Sequence, residues 1–79
     1  MKIALLGYGK MGRIIEKLAI DRGHEIVLTI DETNLEQLTT EHLQKADAAI
    51  DFSTPHSVLN NIKSCFDANL PLIVGTTGW

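Results

Sequence analysis

Little in this sequence is available for cross-linking, membrane insertion or nucleic-acid binding. There is one cysteine, Cys65, so no internal disulfide can form, and a reducing compartment, the cytosol, is the simplest setting. No apolar run approaches the roughly 18 residues of a membrane span. The N-terminus enters an apolar segment after a single lysine, without the leader and cleavage site of a secretory signal. Seven basic against ten acidic residues give a net charge of −3. With no basic run, that balance argues against nucleic acid as a partner. Repeats, low-complexity tracts and linkers are absent. Cys65 shares no metal-ligand spacing with His24, His42 or His56. None of the three histidines has a partner group at catalytic spacing, so neither a metal nor a catalytic acid or base is assigned.

What is present is concentrated in the first turn. Met1 to Leu6 is a short apolar run of the kind that forms a buried parallel strand. Gly7-Tyr8-Gly9-Lys10-Met11-Gly12 follows at once, with the spacing G-x-G-x-x-G. Gly7 permits a tight strand-to-helix turn, Gly9 lets the backbone approach a phosphate, and Gly12 lets the helix pack closely. Met11, Ile14, Ile15, Leu18 and Ala19 then recur at helical spacing, with Arg13, Glu16, Lys17 and Asp21 on the opposite face. Gly23 suits the left-handed residue that ends a helix. His24 to Ile30 reads as a second strand, and Asp31 stands at its end, about 20 residues past the glycines, where a carboxylate accepts from ribose hydroxyls. The unit predicts a dinucleotide site with its pyrophosphate at the helix N-terminus.

Residues 32–45 are polar, and Leu35, Leu38 and Leu43 suggest one or two short helical turns. Ala46 to Phe52 reads as a third strand. Thr54 is a good N-cap and Pro55 a good first residue for the helix that follows. Val58, Leu59, Ile62 and Phe66 form its apolar face, with Cys65 alongside as a small packing residue rather than a reactive thiol. Asn69 can end that helix. Leu70 to Val74 is a fourth strand, followed by Gly75-Thr76-Thr77-Gly78-Trp79.

Alternating strands and helices predict an α/β, Rossmann-like three-layer sandwich on a parallel four-stranded sheet. Two strand orders are open, 2-1-3-4 and 3-2-1-4. The first is favoured because it alone brings Ser53-Thr54 beside the glycine turn, at the switch point where ligands bind. Seventy-nine residues make at most one small domain, which buries about 60% of its unfolded surface and has a core worth roughly 3–5 kcal/mol net. Residues 1–79 therefore read as one dinucleotide-binding domain. An end just past a strand, at a free sheet edge, reads as a truncated protein.

Three motifs together carry a family resemblance: Gly7 to Arg13, Asp51-Phe52-Ser53-Thr54-Pro55, and Val74-Gly75-Thr76-Thr77-Gly78-Trp79. The combination closely resembles the N-terminal nucleotide-binding part of the dihydrodipicolinate reductases, and it covers essentially the whole chain. The resemblance implies hydride transfer from NADH or NADPH to a small cyclic imine in lysine and diaminopimelate biosynthesis. It implies a second, catalytic and tetramerisation domain outside residues 1–79, a homotetramer for the full-length protein, and no activity for this chain alone. It assigns Gly7, Tyr8, Gly9, Lys10, Met11 and Gly12 to the pyrophosphate and Asp31 to the adenosine ribose. Phe52, Ser53 and Thr54 line the cofactor cleft. Gly75, Thr76 and Thr77 lie at the nicotinamide, and Thr77 also reaches a substrate carboxylate.

The sequence departs from the pattern in two places. Its glycine turn is one residue shorter than the double-glycine form, and the segment between Asp31 and Asp47 is compact enough to lack an additional edge strand. Asp31-Glu32-Thr33 carries no cation for a 2′-phosphate, so the residues favour NADH over NADPH. Two alternatives stay open: another two-domain NAD(P)-dependent dehydrogenase, and a non-catalytic nucleotide-sensing module.

Overall fold

The computed structural model describes residues 1–75. Strand β1 (Lys2–Leu6) leads into helix α1 (Lys10–Asp21), followed by β2 (Glu25–Ile30). A 3-10 turn (Leu35–Gln37) and a short helix α2 (Thr40–Leu43) precede β3 (Ala48–Asp51). Helix α3 (Pro55–Asp67) and β4 (Leu72–Val74) complete the order. All three strand pairs are parallel and the order is β2-β1-β3-β4. This is the 2-1-3-4 arrangement, in a Rossmann-like α/β fold. The strand order reverses between β1 and β3, and a crevice opens at their C-terminal ends.

Strand alternation divides the core in two. Ile3 and Leu5 pack with Ile15 and Ala19 of α1, and with Ile26 and Ile50, on one face. Ala4, Leu6, Leu28, Ile30 and Ala49 face the other way, onto Leu43 of α2 and Cys65 of α3. The sheet thus separates α1 from α2 and α3, which gives the three layers. Burying Leu43 completely contributes about 2 kcal/mol and anchors the connection from β2 to β3. The pairing of β1 with β2 shifts register between Ile3 and Ala4, whose partners are Ile26 and Leu28. Val27 is the extra residue, and this bulge keeps Leu28 and Ile30 on the α2–α3 face.

The helix ends follow the sequence. Gly23 has φ +86° after α1, and Asn69 has φ 55° after α3. Thr54 takes the extended N-cap conformation at Pro55, but its side chain makes no capping bond. Its Oγ1 is 3.3 Å from Ser57 Oγ instead.

Two helix faces differ from their apolar patterns. On α1, Met11, Ile14 and Leu18 are exposed, whereas Gly12 and Ala19 are buried. The helix approaches through its smallest residues: a Cβ on Gly12 would lie 2.6 Å from the Gly7 carbonyl oxygen. Glu16 turns inward to accept from Tyr8. On α3 the buried face is Val58, Asn61 and Cys65, continued by Ala68 at the C-cap, while Leu59 and Phe66 are exposed. Asn61 turns inward because a carboxyl group, Asp51, is buried opposite it.

Cys65 is buried, and that burial, together with the Asp51 carboxyl group, pushes its thiol up to about 11. It packs rather than reacts. A thiol reagent at pH 7.5 is expected to modify the native chain at least ~100-fold more slowly than the urea-unfolded chain. Equal rates in a disulfide-exchange assay would contradict this burial.

Candidate dinucleotide site

The C-terminal ends of the strands are locked together before any side chain acts. Gly7 N–H donates to the Ile30 carbonyl (2.6 Å), Phe52 N–H to that of Leu6 (2.9 Å), and Gly75 N–H to that of Asp51 (2.7 Å). These bonds carry the chain out of β1, β3 and β4 side by side. A cleft of about 370 Å³ lies above them. Its walls are Gly7, Tyr8 and Gly9 from the first turn, Ile30 to Thr33 and Leu35 after β2, Phe52 to Thr54 after β3, and Ser57 and Asn61 of α3.

The glycines of the first turn differ in what they do. Gly7 has φ +96°, and a Cβ there would lie 2.6 Å from the Ser53 backbone nitrogen. It is the residue that lets the β1 turn touch the β3 turn. Gly9 has an extended backbone, φ −92° and ψ −152°, and a Cβ there would meet nothing within 4 Å. Nothing in the described residues requires glycine at position 9, so the open space above it is what a ligand would use.

Helix α1 starts immediately beyond. No side chain caps its N-terminus and no acidic residue lies in its first turn, where Lys10 sits instead. A cation at this end adds to the helix dipole rather than offsetting it. The uncompensated N–H groups and Lys10 are matched to an anion. Met11 is exposed on this first turn.

Asp31 is held by its own turn. The Thr33 hydroxyl and N–H both donate to Oδ1 (2.5 and 2.8 Å), and Asn34 Oδ1 accepts the Asp31 N–H at 2.7 Å. The two bonds from Thr33, aided by the charge of Arg13, hold the Asp31 carboxyl below its ordinary range. It therefore remains an ionised acceptor in mildly acidic solution. The Asn34 backbone N–H adds a weaker bond to the same carboxyl group.

The spacing of Arg13 puts it on the outer face of α1. Its guanidinium lies 5.5 Å from the centre of the Tyr8 ring, which itself lines the cleft. Tyr8 donates its hydroxyl to Glu16 Oε1 (2.5 Å), and this bond raises the phenol above its usual range. The bond to Glu16 holds the ring in the wall of the cleft.

On the opposite wall, Ser53 N–H donates to Asp51 Oδ1 at 2.7 Å. Asn61 Nδ2 donates to Asp51 Oδ2 (3.2 Å) and to Ser53 Oγ (3.1 Å). Asp51 and Asn61 are site residues that the sequence pattern does not mark. The available signal was an amide at i+3 from Val58 and four residues before Cys65, on what must be a buried stripe. Phe52 packs under Gly75, where a Cβ would overlap the ring. Gly7, Tyr8, Gly9, Asp31, Phe52, Ser53 and Thr54 thus converge on one cleft. Lys10, Met11 and Gly12 form the helix start beside it, and Gly75 lies behind Phe52. Thr76 and Thr77 lie outside the described residues.

The family profile described as "Dihydrodipicolinate reductase, N-terminus" matches residues 1–79. The chain belongs to this family. Proteins named 4-hydroxy-tetrahydrodipicolinate reductase are its relatives. That of Christiangramia forsetii is 44% identical over 79 residues, covering 100% of this chain and 32% of its own length. That of Staphylococcus epidermidis is 42% identical over 84 residues, covering 99% of this chain and 34% of its own. That of Staphylococcus aureus strain MRSA252 is 42% identical over 86 residues, with the same coverage. The chain therefore spans about a third of the length of these reductases. Its cleft is the candidate site of a dihydrodipicolinate reductase N-terminal domain. Among the described residues no three His, Cys, Asp or Glu side chains converge as metal ligands, and no helix is long and apolar enough to cross a membrane.

Proposed function

We propose that this chain is the NAD(P)H-binding part of a 4-hydroxy-tetrahydrodipicolinate reductase acting in lysine and diaminopimelate biosynthesis. The observation that carries this reading is Gly9, a glycine that nothing among the described residues requires, over an open cleft beside an uncapped helix N-terminus. The volume of that cleft lies within the range of about 300–1,000 Å³ typical of ligand sites. When bound, the dinucleotide supplies a hydride to the carbon–nitrogen double bond of the substrate.

The residues of this chain bind and orient. The backbone from Gly7 to Gly12, with Lys10, takes the pyrophosphate. The Asp31 carboxyl group accepts from the adenosine ribose, and Tyr8 lines the cleft beside the pyrophosphate. Phe52, Ser53 and Thr54 carry the cleft toward β4, where Gly75, Thr76 and Thr77 meet the nicotinamide carboxamide and Thr77 reaches a substrate carboxylate. The groups that protonate the substrate and assemble the homotetramer belong to sequence outside residues 1–79.

NADH is the preferred cofactor in this reading. A 2′-phosphate would meet Asp31 and Glu32, and charges of like sign at about 4 Å repel by roughly 1–4 kcal/mol. Arg13, close enough to act on Asp31, offsets part of that cost. Titration calorimetry of the chain is expected to give NADH affinity about tenfold above that of NADPH, a difference of ~1.4 kcal/mol. Asp31→Ala is expected to weaken NADH about tenfold, through loss of hydrogen bonds to a charged acceptor, and to narrow the gap between the cofactors. Equal affinities, both indifferent to Asp31→Ala, would overturn the ribose assignment.

A further inference from the structure

Asn61 stands where an apolar residue would be expected. It is 2% exposed, on the face of α3 that also buries Val58 and Cys65. Burying an amide is costly unless its donors and acceptor are paired, and Asn61 is paired with two groups of one turn. Its Nδ2 donates to the Asp51 carboxyl group and to the Ser53 hydroxyl. The assignment of nitrogen to this side follows from chemistry, since a carboxylate oxygen can only accept. Asp51 in turn takes the Ser53 N–H. Two of these three hydrogen bonds hold Ser53, one by its main chain and one by its side chain, and the third ties Asn61 to Asp51. Packing alone does not require such a network, because shape-matched apolar groups can replace a buried polar pair at little cost.

The location explains what the network is for. Ser53 lies in the wall of the cleft, and its backbone nitrogen is the atom nearest to where a Cβ on Gly7 would be. The Asp51–Ser53 turn and the glycine turn are in direct contact across the switch point. A displacement of Ser53 is thus a displacement of both the cleft wall and the surface against which the phosphate turn rests. Displacements of about 1 Å are enough to degrade a binding constellation.

We propose that Asn61 is a positioning residue of the dinucleotide site, acting through Ser53 to hold the switch-point wall in its binding geometry. The inference rests on the dinucleotide reading above. The Ser53 contact acts on that side chain directly, and the Asp51 contact acts on the Ser53 main chain through the Asp51–Ser53 bond and also supports the fold.

A double-mutant cycle on the chain separates these roles, with NADH affinity and melting temperature measured for each variant. Asn61→Ala and Ser53→Ala are each expected to weaken NADH about tenfold. The double variant is expected to lose less affinity than the two single losses multiplied, because both substitutions break the same Asn61–Ser53 contact, while the Asp51 bond and the place of Asn61 in the cleft wall leave it a smaller separate share. Its melting temperature should nevertheless fall below that of Ser53→Ala, since Asp51 has lost a partner. Losses in affinity that multiply, or an Asn61→Ala variant that is destabilised but binds as the unaltered chain does, would overturn the proposal. A further readout needs no substitution: the Asn61 side-chain amide resonances of the unaltered chain should shift on saturation with NADH, and unmoved resonances would also overturn it. Failure of the unaltered, folded chain to bind NADH would instead overturn the dinucleotide reading itself.

Discussion

Gly7→Ala is expected to lower the melting temperature of the chain by about 15 °C or more. Two costs combine. The backbone at Gly7, φ +96°, is one that a side chain rarely adopts, at a penalty of about 1–3 kcal/mol. The new Cβ would also sit 2.6 Å from the Ser53 backbone nitrogen, and that nitrogen is held in place by its bond to Asp51. The clash therefore falls on main chain that cannot turn away. Against a core worth only roughly 3–5 kcal/mol, the loss leaves much of the chain unfolded at 37 °C. Circular dichroism melts check it. A Gly7→Ala chain melting within about 3 °C of the unaltered one would show that the two turns are not in contact.

Gly9→Val is expected to do the reverse: leave the fold and remove the ligand. The backbone there is extended and suits any residue, and the site of the new side chain is open. The melting temperature should move by less than about 5 °C, within the range of an ordinary surface change. NADH affinity should fall by about 100-fold or more, because the branched side chain would fill the space through which, in the proposed site, phosphate oxygens reach the helix N–H groups. Calorimetry on the folded variant checks it. Unchanged NADH affinity would mean that the pyrophosphate does not lie over Gly9. The contrast between two glycines two residues apart separates what the turn does for the protein from what it does for a ligand.

Much of this was legible in the sequence because it is written in backbone requirements. The glycine spacing, Gly23, Asn69 and Pro55 each state a local conformation, and each stands where it was expected. The strand order followed from chemistry rather than from propensity: only one order brings Ser53-Thr54 to the glycine turn, and β3 pairs with β1 accordingly. The buried faces of the helices were less legible. Periodicity counts apolar residues, so it put Leu59 and Phe66 inward and overlooked Asn61. The deciding interaction was with a carboxyl group on another element, Asp51. In the same way Met11, Ile14 and Leu18 make a regular stripe on α1, yet close approach through Gly12 and Ala19 leaves that stripe exposed. Charge was legible in part: residues 31–33 carry no cation, Lys10 and Arg13 are the cations of the glycine turn and α1 that could approach, and the charge of Arg13 acts on Asp31.

The central claim is that the cleft between the β1 and β3 turns takes a dinucleotide. Backbone amide resonances of the chain, followed during titration with NADH, test it most directly. The account predicts saturable shifts at Gly7 to Gly12, Asp31 to Thr33 and Phe52 to Thr54, with the opposite end of the sheet, at Lys2, Glu25 and Asp47, unmoved. A folded chain whose resonances do not respond to NADH, or respond only away from the glycine turn, would contradict it.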